Sequence, residues 1–142
     1  AYIPFFLAFL LPGFDKRYEW SSVSVGGIVI ADILVLLGYG IVFLVFRENR
    51  YASRIIEVAQ GQTVISSGPY AIVRHPMYTA VMLIYMLSPL ALGSYWAMIP
   101  AATVIPILVA RIIGEERLLT KELKDYPEYL QKVRYRLIPG IW

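Results

Sequence analysis

VSVGGIVIADILVLLGYGIVFLVF, residues Val23 to Phe46, is 24 residues long and carries Asp32 as its one charged side chain. At about 1.5 Å of rise per residue, a helix of this length crosses a hydrocarbon core of roughly 30 Å with some tilt. No polar face interrupts the run, as it would in a helix half-buried on a water-soluble core. The composition points the same way: 58% of residues are apolar, 16% are charged and the mean hydropathy is +0.63, against about 25% charged in an average soluble protein. The chain reads as an integral membrane protein.

Two further apolar stretches, Met77 to Leu92 and Tyr95 to Ile113, are split by Gly93-Ser94. Small turn residues there predict a tight helical hairpin with both arms as spans. The opening AYIPFFLAFLL is apolar for eleven residues before Pro12-Gly13, too short to cross alone, and reads as an abbreviated or partly missing first span. The expected fold is all-α: a polytopic membrane protein of about four transmembrane segments. It is read as one domain over residues 1–142, with N-terminal spans in 1–54 and a motif-bearing part in 55–142.

Arg47, Arg50, Arg54 and Arg74 precede the hairpin, and Arg111, Arg117, Lys121, Lys124, Lys132, Arg134 and Arg136 follow it. Lys and Arg concentrate on the cytoplasmic side of membrane proteins, so four crossings place both basic segments in the cytoplasm. Asp15 to Ser22 and the Gly93-Ser94 turn then lie outside. This topology also accounts for the pI of about 9.2, and no motif accompanies the charge to indicate a nucleic-acid partner. With no cysteine and one histidine, the chain offers neither a disulfide framework nor a metal centre built from its own side chains.

The cytoplasmic segments are not simple linkers. EVAQGQTVISS, Glu57 to Ser67, mixes β-branched and small polar residues around Gly61, which suits an extended segment pressed against a ligand. It leads into GPYAIVRHPMYTA, Gly68 to Ala80, where Pro76 fits the first turn of the helix that follows. Beyond the hairpin, Leu118, Leu119 and Leu123, then Tyr126, Tyr129 and Val133, continue an apolar stripe across Pro127. That pattern predicts a pair of amphipathic helices at the membrane surface. Glu115-Glu116 at the end of the last span opposes the helix dipole unless the helix continues or a cation sits there. Arg111 and Glu115, four apart, share a helix face, whereas Glu115 and Glu116 diverge by roughly 100°.

In order, the chain contains Gly68-Pro69-Tyr70, Arg74-His75-Pro76-Met77-Tyr78, a hairpin, Arg111 with Glu115-Glu116, Tyr126-Pro127-Glu128-Tyr129, Lys132 and a terminal RLIP ending at Pro139. This ordered set, over about residues 55 to 142, resembles the isoprenylcysteine carboxyl methyltransferase family and its phospholipid methyltransferase relatives. The chain departs from many members in having Gln62 where they have His, and Val133-Arg134 where they have Val-Pro. The resemblance implies a cytoplasm-facing cofactor pocket for S-adenosylmethionine lined by Gln62, Val64, Ile65, Gly68, Tyr70, His75, Pro76 and Tyr78, with Glu115 or Glu116 opposite. It further implies that Arg111 meets the substrate and acts with Glu115 in catalysis, with Tyr129 and Lys132 on the substrate side.

The implied acceptor is lipophilic, such as the carboxylate of a prenylcysteine, reached from the membrane lipids around the protein. A carboxylate with a pKa of about 4 is ionised at neutral pH and needs no general base. A lipid amine would have to lose a proton, with His75, Tyr78 or Tyr129 as base or relay; a thiol acceptor and a non-catalytic membrane subunit complete the alternatives.

Overall fold

The computed structural model describes residues 2–49, 51 and 61–142, and its regular structure there is entirely helical. The helices are α1 (Tyr2–Tyr18), α2 (Val25–Glu48), α3 (Pro76–Ala91), α4 (Met98–Ala102), α5 (Val104–Glu122) and α6 (Tyr126–Lys132), with a 3-10 turn at Gly68–Ala71. Two compact units share the chain: residues 1–39 with 80–107, and residues 40–79 with 108–142. Arg50, Arg54 and Glu57 to Gln60 of the expected cytoplasmic segment lie outside the described residues.

Two stretches are long and apolar enough to cross a membrane, Val25–Glu48 and Met98–Glu122. The first is the expected span, moved two residues along the chain. The second combines α4 and α5, joined at Thr103, whose hydroxyl donates to the Pro100 carbonyl at 2.7 Å. Pro106 has no N–H to offer the Ala102 carbonyl, which explains a break at this joint. Helix α3 is apolar but shorter, with 16 residues, or about 24 Å of rise. The glycine turn forms where the small residues predicted it: Gly93 has φ +82° and lies between α3 and α4.

In the first unit, α1 does not stop at Pro12-Gly13 but runs through Pro12 to Tyr18. Proline removes one backbone donor, and helices in apolar surroundings continue across it when neighbouring groups accommodate the freed carbonyl. The C-terminal end of α1 is fastened by Asp15, which is fully buried. Its carboxylate accepts from the Ser21 amide at 2.7 Å, the Ser21 hydroxyl at 2.6 Å and the Ser94 hydroxyl. Gly38 of α2 lies against α3, where a Cβ would stand 2.8 Å from Ile84 and 3.3 Å from the Ala80 carbonyl. The large apolar side chains left exposed, among them Val29, Ile33, Leu36 and Leu37 on α2, face what a bilayer supplies as solvent.

In the second unit, the amphipathic pair takes a different form from the one the stripe suggests. Helix α5 continues unbroken past Glu115-Glu116 to Glu122, so the acidic pair lies inside a helix and not at its C-terminus. Among the described residues, α6 follows as a separate helix of 7 residues. Leu123, Tyr126, Tyr129 and Val133 form a buried cluster, with Val64, Leu119 and Leu130 packed on it.

Candidate active site

The second unit contains nearly all of the motif residues. Ser67 is extended, and Gly68 then enters the 3-10 turn at φ +56°. Glycine is needed there twice over, because a Cβ would sit 2.6 Å from Glu48 Cγ at the end of α2 as well as being strained at positive φ. The Ser67 hydroxyl donates to Glu48 Oε2 at 2.9 Å. Tyr70 is held at both ends: Asn49 Nδ2 donates to its hydroxyl at 2.9 Å and the Tyr129 hydroxyl donates to its carbonyl at 2.7 Å. Burial raises the pKa of Tyr70, Tyr126 and Tyr129, so these phenols are neutral at physiological pH.

Next along the chain, Arg74 and His75 pair with the C-terminal segment. Their amides donate to the carbonyls of Tyr135 and Arg136, each at 2.9 Å. Pro76 opens α3 as expected, and the His75 carbonyl accepts from the Tyr78 and Thr79 amides in the first turn. The Thr79 hydroxyl reaches the Leu137 carbonyl at 2.8 Å. The last residues of the chain are thereby fixed beside the start of α3.

Two polar groupings meet at that point. In the first, Glu116 is buried and gathers three basic side chains: Arg74 Nη1 lies 3.1 Å and His75 Nε2 3.2 Å from Oε1, while Arg136 Nε and Nη2 are each 2.9 Å from Oε2. Two of the three are guanidinium groups, so the buried carboxylate is compensated within the cluster. In the second, Arg111 Nε donates to the Tyr78 hydroxyl at 2.8 Å, which donates to Glu115 Oε2 at 2.5 Å. The Tyr78 and His75 rings stack with centroids 5.6 Å apart, joining the groupings. Arg111 and Glu115, expected to share a helix face, are linked here through a phenol from α3.

Of the residues singled out from sequence, His75, Tyr78, Arg111, Glu115 and Glu116 are thus connected by direct contacts, with Pro76 at the head of α3. Gly68, Tyr70 and Tyr129 form a second linked group, and Val64 packs on the tyrosine cluster. Gln62 and Ile65 are half-buried in the irregular segment before the turn. Lys132 is not brought to either group: it is exposed and bonds to Glu128 at 2.7 Å one turn away. The sequence reading quoted Arg74 and Arg136 in motifs and among the basic residues without giving either a role in the site, and passed over Asn49 and Glu48. The signal for Arg136 was the surplus of basic residues on either side of one acidic pair. An apolar cavity of about 520 Å³ is lined by Leu11, Trp20, Trp96, Ile99 and Pro100, all in the first unit and none in a motif.

Helices of membrane-crossing length and a buried ionic cluster define an all-helical membrane protein with a polar site. Residues 27–125 match the phospholipid methyltransferase family model, and the chain belongs to that family. The family includes isoprenylcysteine carboxyl methyltransferase-like members, so the chain is a membrane methyltransferase of a kind that acts on lipid-related substrates. The match ends at Asp125, so α6, Tyr129 and Arg136 lie beyond it. No curated protein matched the chain.

Proposed function

We propose that this protein transfers a methyl group from S-adenosylmethionine to a lipophilic acceptor, the carboxylate of a prenylcysteine-like molecule, at a pocket facing the cytoplasm. The observation that carries the reading is the Arg111–Tyr78–Glu115 chain, a cation and a carboxylate held on either side of one neutral phenol. The family generally uses S-adenosylmethionine, and the residues present fit it. Arg74 Nε is buried without an acceptor among the described residues, and a carboxylate-bearing ligand supplies one. Glu115 spends one bond on Tyr78, whereas both oxygens of Glu116 are engaged by Arg74, His75 and Arg136; Glu115 is therefore the better candidate for a positively charged ligand group.

Gln62, Val64, Ile65, Gly68, Tyr70, His75, Pro76, Tyr78 and Glu115 would hold the cofactor, which when bound supplies an electrophilic methyl on a sulfonium. Arg111 orients the acceptor carboxylate, which is ionised already and asks no base of the protein. The remaining work is placement in near-attack geometry and exclusion of water, which together can supply on the order of 7 kcal/mol or more. The acceptor's tail stays in the bilayer while its head reaches Arg111 from the side. Four crossings, with 47–76 and 114–142 in the cytoplasm, give the site this access.

A second reading, methylation of a lipid amine, is favoured by one observation: Tyr78 bonded to Glu115 at 2.5 Å places a carboxylate where it can take up a proton through the phenol. Radiolabelled methyl transfer by the purified protein in nanodiscs separates the two. A methyl ester is released by mild base, whereas a methylamine is not. Base-labile label on a prenylcysteine analogue supports the first reading, and base-stable label on an aminolipid replaces it with the second.

A further inference from the structure

We infer that Asn49 is a positioning residue that fixes the polarity of the Tyr70 hydroxyl, so that Tyr70 presents its O–H as a donor to bound S-adenosylmethionine. This rests on the methyltransferase reading above and adds to it a residue that lies outside the motifs, at the end of α2.

The argument starts from the amide. Asn nitrogen and oxygen are ordinarily interchangeable by a flip, and only their partners tell them apart. Here the partner is decisive, because the Tyr51 backbone N–H lies 2.9 Å from Asn49 Oδ1 and a backbone N–H can only donate. The other arm of the amide must be Nδ2, and it lies 2.9 Å from the Tyr70 hydroxyl. Asn49 therefore donates to Tyr70, and the phenol oxygen is the acceptor of that bond. The phenol's own proton must point elsewhere, and no described residue accepts it.

The rest of Tyr70 cannot turn to compensate. Its carbonyl holds the Tyr129 hydroxyl at 2.7 Å, and the turn behind it is set against Glu48 at Gly68, where no larger residue fits. Burial, joined by the charge of Glu115, raises the Tyr70 pKa, against the smaller opposing effect of the Asn49 bond; the hydroxyl keeps its proton and remains a donor. A carboxylate, hydroxyl or ring nitrogen of the cofactor is the kind of acceptor it would meet.

The test is calorimetric binding of S-adenosylhomocysteine, which has a neutral sulfur and so responds little to a distant change of charge. The proteins compared are the wild type, Tyr70→Phe, Asn49→Asp and the double variant. Asp keeps the shape and still accepts from the Tyr51 amide, but it offers Tyr70 an acceptor in place of a donor. The Tyr70 proton then turns toward α2 and is lost to the ligand. Tyr70→Phe and Asn49→Asp should each weaken binding by about tenfold, the size of one hydrogen bond, and the double variant should be no worse than either. The melting temperature of ligand-free Asn49→Asp should match wild type while its ligand-induced rise shrinks, a split that a merely structural residue does not give. Unchanged affinity in Asn49→Asp, or additive losses in the double variant, overturns the inference while leaving the methyltransferase reading intact. Absence of binding by the wild type overturns both. Should Asn49→Asp not fold, Asn49→Leu decides the matter, with affinity between wild type and Tyr70→Phe expected and wild-type affinity contrary to the inference.

Discussion

Arg136 grips Glu116 with two nitrogens, Nε and Nη2, each 2.9 Å from Oε2. The residues are twenty apart in sequence, and one lies on α5 while the other lies beyond α6. With Arg74 and His75 on the opposite oxygen, the carboxylate is the point where the RHP motif, the long helix and the C-terminal segment are tied together. Removing one member of such a buried cluster leaves the others uncompensated, at a cost of about 3 kcal/mol or more. Glu116→Gln should therefore lower the unfolding free energy in detergent by roughly that amount, read by denaturant titration. Stability equal to wild type together with lost cofactor binding would instead make Glu116 a ligand.

Arg111 touches the Tyr78 hydroxyl through Nε, so its guanidinium is positioned before any acceptor arrives. A lysine has no planar fork with which to hold a carboxylate. Arg111→Lys should lower kcat/KM by about 2–4 kcal/mol of transition-state stabilisation with little change in S-adenosylhomocysteine affinity. The reverse pattern, near-normal turnover with a sharp loss of cofactor affinity, would move Arg111 into the cofactor pocket.

The buried phenols set an alkaline limit. Burial holds the pKa values of Tyr126 and Tyr129 above the free value of 10.0, so above that pH the unfolded chain loses these protons while the folded chain keeps them. Their contribution is complete below about pH 10 and is lost as pH rises toward the folded values. Tyr126→Phe keeps the ring in its apolar cluster and removes one ionisable group. Its alkaline unfolding midpoint, followed by circular dichroism, should lie above that of wild type; an unchanged midpoint would show that other groups set the limit.

The absence of cysteine makes topology directly measurable. Ser94 is buried against Asp15 and is a poor labelling site, whereas Tyr95 is 51% exposed and Lys124 is exposed. Cysteines introduced singly at Tyr95 and Lys124 should label from opposite sides of sealed vesicles. Labelling of both from one side would contradict the four-crossing arrangement.

The two helices of membrane-crossing length were legible because hydropathy is local: about twenty apolar residues in a row identify Val25–Glu48 without knowledge of anything else. Pro76 marked the start of α3 for the same reason, since its ring sets its own backbone. Pro12 misled, because a proline's effect on a helix depends on which neighbours receive the freed carbonyl, and sequence does not list them. The Arg111–Glu115 spacing correctly put both residues on one face, but Tyr78 comes from another helix and could not be inserted between them by counting. The position of Glu115-Glu116 left open whether the helix continues or a cation sits there; the helix continues, and the individual partners of Glu116 come from segments that folding brings to it. Asn49 carried no signal at all, since its role depends on a backbone amide and a phenol that folding brings to its two ends.

The central claim is that this chain binds S-adenosylmethionine with the 62–78 segment and the Arg111–Glu115 turn of α5. Ultraviolet cross-linking of methyl-labelled S-adenosylmethionine to the purified protein, followed by peptide mapping, tests it most directly. The account predicts label in peptides covering 62–78 or 111–116, suppressed by excess S-adenosylhomocysteine. Label confined to α1 or to the Trp20–Trp96 region, or no label that S-adenosylhomocysteine suppresses, would contradict it.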